Sequence, residues 1–543
     1  MAKKKTSKMT KAEKSWIMYD WANSVYATNI MAAILPIYFS AVCGAAGQDG
    51  DIWWGYGTSI ATAVVAVLAP ILGAFGDRSG MKKKFLGFFI VLGVLFTASM
   101  AFTDNWKLML VGYIISYIGF AGANVFYDSF LTDVTTDERM DRISAWGYAM
   151  GYIGGSTIPF IGSIVVLLVM GMSNPLAVKI TILITAIWWA IFSLPILFNV
   201  KQEHYGEEKK SVGATLKGLI VTLKDIFKNK PLFFYIIAYF FYIDGVNTVI
   251  HMATSYGSTI GLNTVGMILA LLVTQIVAVP FSLIFSKLSE KFGSLQVIGF
   301  GICMYIIICG VGFFMGQTVE AEQIPLETRF AQEISVAADE ASLNLNEDAS
   351  KEYFDKLVND EADGLIVYTQ SLFASSDREQ KFADYISELN IECKNAEGVS
   401  SSEKIALRSA VESLEKIGGQ FLSEENMSDY DKAVSTGSVL FWILAFLVGT
   451  VQGGIQALSR SYFGKLIPAE KSNEYFGFFD IFGKFACVIG PALYSAVRQT
   501  TNRPSIGLIS LVLLFTIGGI ALIFAARVRN KANQSKADLN YAN

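Results

Sequence analysis

The chain has 543 residues, 53% of them hydrophobic and only 17% charged, with a formal net charge of −4. Soluble globular proteins carry about 25% charge, so a water-soluble enzyme is excluded as the simplest reading and lipid is the natural solvent for much of the chain. Two histidines and five scattered cysteines exclude a His/Cys metal cluster and a disulfide framework. No G-x-x-x-x-G-K-[ST] loop is present to cradle ATP phosphates.

The charge is divided unevenly. Residues 317–435 hold 26 acids and 10 bases, a net −16, which leaves +12 on the remainder. An acidic insert therefore interrupts a basic membrane protein.

Apolar runs predict twelve spans near 17–43, 54–75, 85–103, 108–131, 145–171, 178–199, 231–257, 264–285, 295–316, 436–458, 475–497 and 505–526. Lys3, Lys4, Lys5 and Lys8 ahead of the first run imitate a signal peptide. The run is too long for one and contains Asp20 and Asn23, so it reads as a retained span. Arg78 and Lys82–Lys84, Arg139 and Arg142, Lys209, Lys210, Lys217, Lys224, Lys228 and Lys230, Lys287 and Lys291, Arg460, Lys465 and Lys471, and Arg527, Arg529 and Lys531 all fall on one side. The opposite loops at 44–53 and 258–263 carry no base. By the positive-inside rule both termini are cytoplasmic and the insert is outside. The expected organisation is a six-helix bundle over 1–199, a cytoplasmic linker over 200–230, a second bundle over 231–316 and 436–530, the insert at 317–435 and a tail at 531–543.

In the linker, Leu216, Leu219, Ile220, Leu223, Ile226 and Phe227 recur at helical spacing opposite Lys217, Lys224 and Lys228. This predicts an amphipathic helix on the inner membrane face or against another protein element. Leu407, Val411, Leu414 and Ile417, and separately Phe382, Tyr385, Ile386 and Leu389, predict a small, mostly helical insert with a thin core.

The two halves repeat each other. M-Y-D-W-A-N-S-V at Met18–Val25 echoes Y-I-D-G-V-N-T-V at Tyr242–Val249, and Gly73-Ala-Phe-Gly-Asp77-Arg78-Ser-Gly80 echoes Ser286-Lys-Leu-Ser-Glu290-Lys291-Phe-Gly293. Matched polar groups in repeated apolar segments mark secondary transporters. The spacing of three in Asp20/Asn23 and Asp244/Asn247 puts acid and amide on one helix face, and His251 continues that face. A carboxylate in hydrocarbon costs at least ~2.5 kcal/mol, so these residues are expected to meet a cavity or a partner and to bind substrate or ion. Asp244, placed near mid-membrane, is the expected coupling carboxylate. Asn124 in the fourth span and Gln452 and Gln456 in the tenth either line the path or join helices.

The loop and its twin, through Gly73, Asp77, Arg78, Gly80, Glu290, Lys291 and Gly293, are expected to gate the inner side by bonding a neighbouring helix in one conformer. Lys82 joins Arg78 in holding the loop to facing carboxylates. Asp128 and Arg460 stand at matching places in the two repeats and are expected to pair when the inner side closes. Asp480 and Lys484, at i and i+4, are expected to neutralise each other. The glycines of 147–155 and 477–490 predict close helix contacts.

These motifs resemble the major facilitator superfamily, in the Gly73-x-x-x-Asp77-Arg78-x-Gly80 loop with twelve spans. S-W-x-x-Y-D-W-A-N-S from Ser15, D-G-V-N-T from Asp244, Q-G-G-I-Q-A-L-S-R-S from Gln452 and F-G-F-F-D-I-F-G-K-F from Phe476 resemble its vacuole-effluxer branch. The resemblance implies an all-α fold of two pseudo-symmetric six-helix bundles that rock about a cavity lined by spans one, four, seven and ten. It also implies efflux of amino acids or similar small solutes. The expected ligands are a small-molecule substrate and protons or sodium, in a lipid bilayer such as a bacterial plasma membrane, with no cofactor and no nucleic acid. The long insert departs from the branch's short loop between spans nine and ten and leaves room for an extracellular partner. The alternative reading is a receptor or scaffold that displays the insert.

Overall fold

The computed structural model describes residues 8–542 apart from 47, 49, 172–173, 207–211, 360–363, 365–367, 369–371, 374–377, 397 and 486–487. The charges expected at Lys3, Lys4, Lys5, Lys209 and Lys210, the side chains of Leu216 and Lys217, and the thiol of Cys487 lie outside what is described.

Twelve helices span the membrane: Lys11–Cys43, Ile52–Gly76, Met81–Phe102, Trp106–Val134, Asp137–Met170, Pro175–Asn199, Lys230–Thr259, Val265–Phe292, Ser294–Leu343, Met427–Gly464, Ala469–Thr501 and Pro504–Lys531. Their starts are written locally. Thr10 opens the first span with a capping box, in which Glu13 N–H donates to Thr10 Oγ1 at 3.1 Å and Thr10 N–H to Glu13 Oε2 at 2.8 Å. Asn105, Asn174, Asn229 and Asn263 accept first-turn amides at the fourth, sixth, seventh and eighth. Gly80 (φ 71°) and Gly293 (φ 89°) stand in the left-handed region immediately before the third and ninth spans. Each turns the chain back on itself at the same place in its half.

Two spans contain π-helical turns, Tyr26–Ala33 in the first and Tyr152–Thr157 in the fifth. The two helices pack where Gly147, Gly151, Gly154 and Gly155 give way to Asp20, Trp21 and Ser24, where a Cβ would overlap the facing atoms. The expected glycine contact thus joins spans five and one. The described residues of the eleventh span include the helices Ser472–Phe485 and Ile489–Thr501.

The core is bipartite in the first half, around Tyr26, Tyr113 and Trp189 toward one end and Trp16, Phe126 and Phe130 toward the other. In the second half one core runs from Tyr235 and Tyr462 through Tyr305 and Phe515 into the insert at Phe330, Phe382 and Leu407. Exposed Val67, Leu95, Phe198, Ile307, Phe314 and Ile523 form the lipid-facing skin.

The insert is continuous with the spans that flank it. The ninth helix continues unbroken from Ser294 to Leu343 and the tenth from Glu424 to Gly464. Helical periodicity simply carries on past the apolar run, so composition changes where secondary structure does not. Among the described residues the insert adds the helices Asp348–Asn359, Arg378–Asn395 and Ser401–Phe421. Leu407, Val411, Leu414, Phe382, Ile386 and Leu389 are buried as expected, while Tyr385 and Ile417 sit at the edge of the core.

Candidate functional site: polar bridges between the halves

The span ends joined by the 77–80, 135–136 and 465–468 connections form one end of the bundle, called the near end below. Here the halves are tied by buried polar contacts in three groups.

The first group surrounds Arg460 of the tenth span, which is 4% exposed. Its Nη1 donates to Asp128 Oδ1 at 2.9 Å and its Nη2 to Asp20 Oδ2 at 3.3 Å. Nε and Nη2 also donate to Ser144 Oγ and O at 3.0 and 3.1 Å. The rings of Trp16, Tyr127 and Tyr148 lie 4.7, 5.4 and 4.5 Å from the guanidinium, and Tyr127 Oη donates to Asp20 Oδ2 at 2.6 Å. A cation of the second half thus sits in an aromatic and acidic box built by spans one, four and five of the first, the environment in which a planar, always-charged guanidinium is best held.

The second group is the Gly73–Gly80 loop. The Asp77 carboxylate accepts from Asn473 N–H at 2.9 Å, Asn473 Nδ2 at 2.8 Å and Glu474 N–H at 3.0 Å. It therefore caps the N-terminus of the eleventh span from the opposite half, where the helix dipole favours an acceptor. Burial pushes this carboxyl up to about 7, opposed by Lys82 and by the Glu474 and Asn473 donors. A Cβ on Gly73 would overlap the Asn473 carbonyl, so glycine is what lets the second and eleventh helices touch. Lys82, fully buried, bonds Asp133 at 2.6 Å and Ser472 Oγ at 2.9 Å. The same Asp133 accepts from the backbone N–H groups of Glu203 and His204 at 3.0 and 2.8 Å, and Gly206 N–H donates to Asp77 O at 3.0 Å. The start of the linker is thereby strapped over the loop. Arg78 stacks on Phe75 at 4.6 Å.

The third group is the counterpart in the other half, built with the roles exchanged. The acid is Asp141 on the fifth span; it accepts from Ser289 and Ser294 Oγ at 2.9 and 2.8 Å, from Ser461 Oγ at 2.6 Å, and from Lys465 at 2.5 Å. Glu290 and Lys291, expected to gate, are exposed, and Lys291 lies 4.9 Å from the Phe292 ring. The bonds pass instead through their serine neighbours, which face Asp141 one and four positions from the twin acid.

The remaining expected residues separate. Asn23 Nδ2 donates to Asn124 Oδ1 at 2.5 Å, joining spans one and four beside the Arg460 box. Asp244 is fully buried and departs from its expected place in an aqueous pocket. The Gly490 N–H, in the first turn of the helix Ile489–Thr501, donates to both Asp244 oxygens at 3.0 Å, and Thr248 Oγ1 adds a bond at 3.5 Å. A free helix N-terminus is a better partner for a buried carboxylate than an open cavity is. Asn247 is half-buried and His251 exposed. Gln452 is buried on the wall of a cavity of about 80 Å³ in the second half, and Gln456, one turn on, is half-buried. Asp480 and Lys484 bond each other within their helix.

Asn473, Asp133, Asp141, Ser144 and Tyr148 were not singled out from the sequence. The two acids sit in charged span ends that read as solvated, and only their burial here distinguishes them. Asn473 follows Lys471 and Ser472 in what reads as a loop.

Twelve spans in two halves, bridged by buried polar contacts at one end, define a membrane transporter of the major facilitator fold. The family described as "Vacuole effluxer Atg22 like" matches residues 54–331 and 437–536, leaving out most of the insert. An uncharacterized MFS-type transporter, YxiO, of Bacillus subtilis (strain 168) is 36% identical over 528 residues, 95% of each chain. Autophagy-related protein 22 of Coccidioides immitis (strain RS) is 28% identical over 95 residues, 17% of this chain and 16% of its own. Among solved structures, a bacterial homologue of the iron transporter ferroportin in an outward-facing state (10% identity, 95% of this chain and 98% of that one) and the E. coli fucose:proton symporter FucP (12% identity, 95% and 97%) each give a TM-score of 0.51. The chain belongs to the vacuole effluxer Atg22-like family. It is a multi-pass membrane transporter that moves a small-molecule substrate, and not an enzyme.

Proposed function

We propose that the chain is a proton-coupled, alternating-access exporter of small metabolites, amino acids first among them, in a bacterial plasma membrane with the near end cytoplasmic. The observation that carries this reading is Arg460 held by Asp20 and Asp128 across the two halves. With the near end closed, one cation answers two carboxylates. When the second half rocks away and takes Arg460 with it, two acids are left in the first half without their counter-ion, and a proton is the smallest ligand that restores the net charge of the closed box. Proton binding therefore favours the inward-open state, and proton release favours reclosure. Asp244 serves in this scheme as the fixed cap of the helix Ile489–Thr501, and the coupling role expected of it passes to Asp20 and Asp128. Asn23 and Asn124, beside that box, supply amides for a polar solute. The Asp77 and Asp141 groups act as latches that close with it.

The test is counterflow of labelled amino acids in proteoliposomes, with and without a pH gradient, for the native chain and for Asp128→Asn. The native chain should show counterflow that a pH gradient accelerates. Asp128→Asn should keep counterflow and lose at least about tenfold of the gradient-driven component, the scale of a charge-assisted bond worth 1.5–3 kcal/mol. Gradient drive unchanged in the variant removes the coupling role, and absence of counterflow for every amino acid removes that substrate class.

A further inference from the structure

We propose that the second half of the chain contains a ligand site of its own, outside the transport corridor, for an uncharged and mostly apolar molecule. This goes beyond the exporter reading and does not depend on it.

The site is the cavity of about 80 Å³ between spans seven, eight, nine, ten and twelve. Its lining, mostly apolar with a few polar groups to fix orientation, is that of small-molecule sites. Ile250, Leu271, Ile308, Met315, Phe441 and Leu444 supply much of the wall, and no charged residue is among the described residues lining it. Its polar groups are largely spent on the protein. Tyr256 Oη donates to Gly312 O at 2.7 Å. Thr274 Oγ1 is committed to the Ala270 and Ala445 carbonyls at 3.1 and 3.0 Å. Gln452 is engaged by the Tyr152 hydroxyl of the fifth span, and the amide of Gln275 is left to meet one polar end of a ligand. An ion or a zwitterion would leave charges unanswered inside apolar walls, which buried charge does not tolerate. A neutral molecule with an apolar body and a single hydrogen-bonding end fits.

The placement separates this cavity from the path of transport. A site that alternates between two sides lies where the halves meet, because their rocking is what exposes it to each side in turn. Every residue lining this cavity falls between Val249 and Leu508, in one half. Rocking moves its walls together and leaves the cavity intact. Gln452 stands two helical turns before Arg460 on the same span, so an occupant rests on the helix that carries the cation of the near-end box.

The chemistry required is shared by a dissolved apolar solute and by the tail of a bilayer lipid, and the experiment separates the two. Binding of radiolabelled indole and of radiolabelled L-tryptophan is measured on the full purified chain, in detergent and in phospholipid nanodiscs. The two probes carry the same ring, and only one carries the zwitterion. Saturable indole binding at least tenfold tighter than that of tryptophan is expected. Ala253→Phe, which fills the cavity, should abolish it. Gln275→Leu, which keeps the size and removes an amide, should weaken it about three- to tenfold, as one lost hydrogen bond does. Indole binding seen in detergent and suppressed in nanodiscs identifies a lipid tail as the resident. Equal binding in both media identifies a dissolved solute. The proposal is overturned by tryptophan binding as tightly as indole, by no saturable indole binding in either medium, or by indole binding that folded Ala253→Phe leaves unchanged. Where that variant fails to fold, an unaltered affinity in Gln275→Leu overturns it.

Discussion

At the scale of single residues, the side chains that matter are those whose charge is answered across the two halves. Arg460 has partners in three helices of the first half, so its removal opens the near end rather than merely loosening it. Spin labels at Ser79 and Glu470, both exposed near-end positions, should report a longer and broader distance in Arg460→Met than in the native chain; an unchanged distribution removes Arg460 from the closure. Asp77 makes closure depend on pH. Burial in the closed state pushes its carboxyl up to about 7, against the opposing pull of Lys82 and of the Glu474 and Asn473 donors, and it returns to about 3.9 once released to water. The closed state therefore holds a proton that the open state gives up. The contribution of Asp77 to closure is present fully below about pH 4 and is lost as pH rises through about 7, by up to about tenfold per pH unit between those limits, opposite in sign to the proton's effect at Asp20 and Asp128. The same pair of labels should show the shift in an Asp20→Asn, Asp128→Asn background, and adding Asp77→Asn, always neutral, should flatten it.

At the scale of elements, the near end is held by helix ends and by the segments that cross them. Lys82 and Asp133 are both fully buried, and a buried ion pair is costly chiefly when one partner is taken away. Lys82→Met should lower stability by about 3–5 kcal/mol, whereas Lys82→Met with Asp133→Leu should recover most of that loss. Thermal unfolding in a fixed detergent checks both, and a double variant no better than the single one contradicts the pairing. Gly73→Leu acts differently, because its side chain would meet the Asn473 carbonyl and wedge the second and eleventh spans apart. It should leave unfolding nearly unchanged while trapping the near end open.

What the sequence disclosed follows from the same physics. Spans are legible because twenty apolar residues have few other uses. The Arg460–Asp128 pairing is legible because each charge interrupts an apolar run at matching places in a repeated chain. The partner of Asp244 is not, since the Gly490 N–H becomes available only where the helix Ile489–Thr501 begins, and a Gly-Pro step inside an apolar run is a weak sign of that. Lys82 and Asp133 look solvated in sequence. They are buried by residues 200–206, a stretch with no periodicity to announce that it folds back over them. The twin loop misled for another reason. The repeat preserves the contact between the halves but moves the acid from the loop to the fifth helix, so that Glu290 occupies the old place and Asp141 the old function.

At the scale of the whole molecule, the insert belongs to the second half. It shares that half's core, and Ser505 at the start of the twelfth span is held by Glu320 through bonds of 2.6 and 2.7 Å. Deleting residues 344–423 and joining the two long helices by a short turn should leave transport within about threefold of native. Loss of transport in a folded deletion variant would instead favour the receptor reading of the insert.

The unbroken ninth helix gives the molecule a rigid mast. Fifty residues at 1.5 Å each reach about 75 Å, more than twice the hydrocarbon thickness. A ten-degree tilt of the second half swings the roughly 40 Å that protrudes through about 7 Å at its tip. Whatever grips that tip, whether an antibody fragment, a crowded neighbour or a tether, acts with leverage on the rocking motion. Clamping the insert should therefore slow turnover without anything touching the corridor.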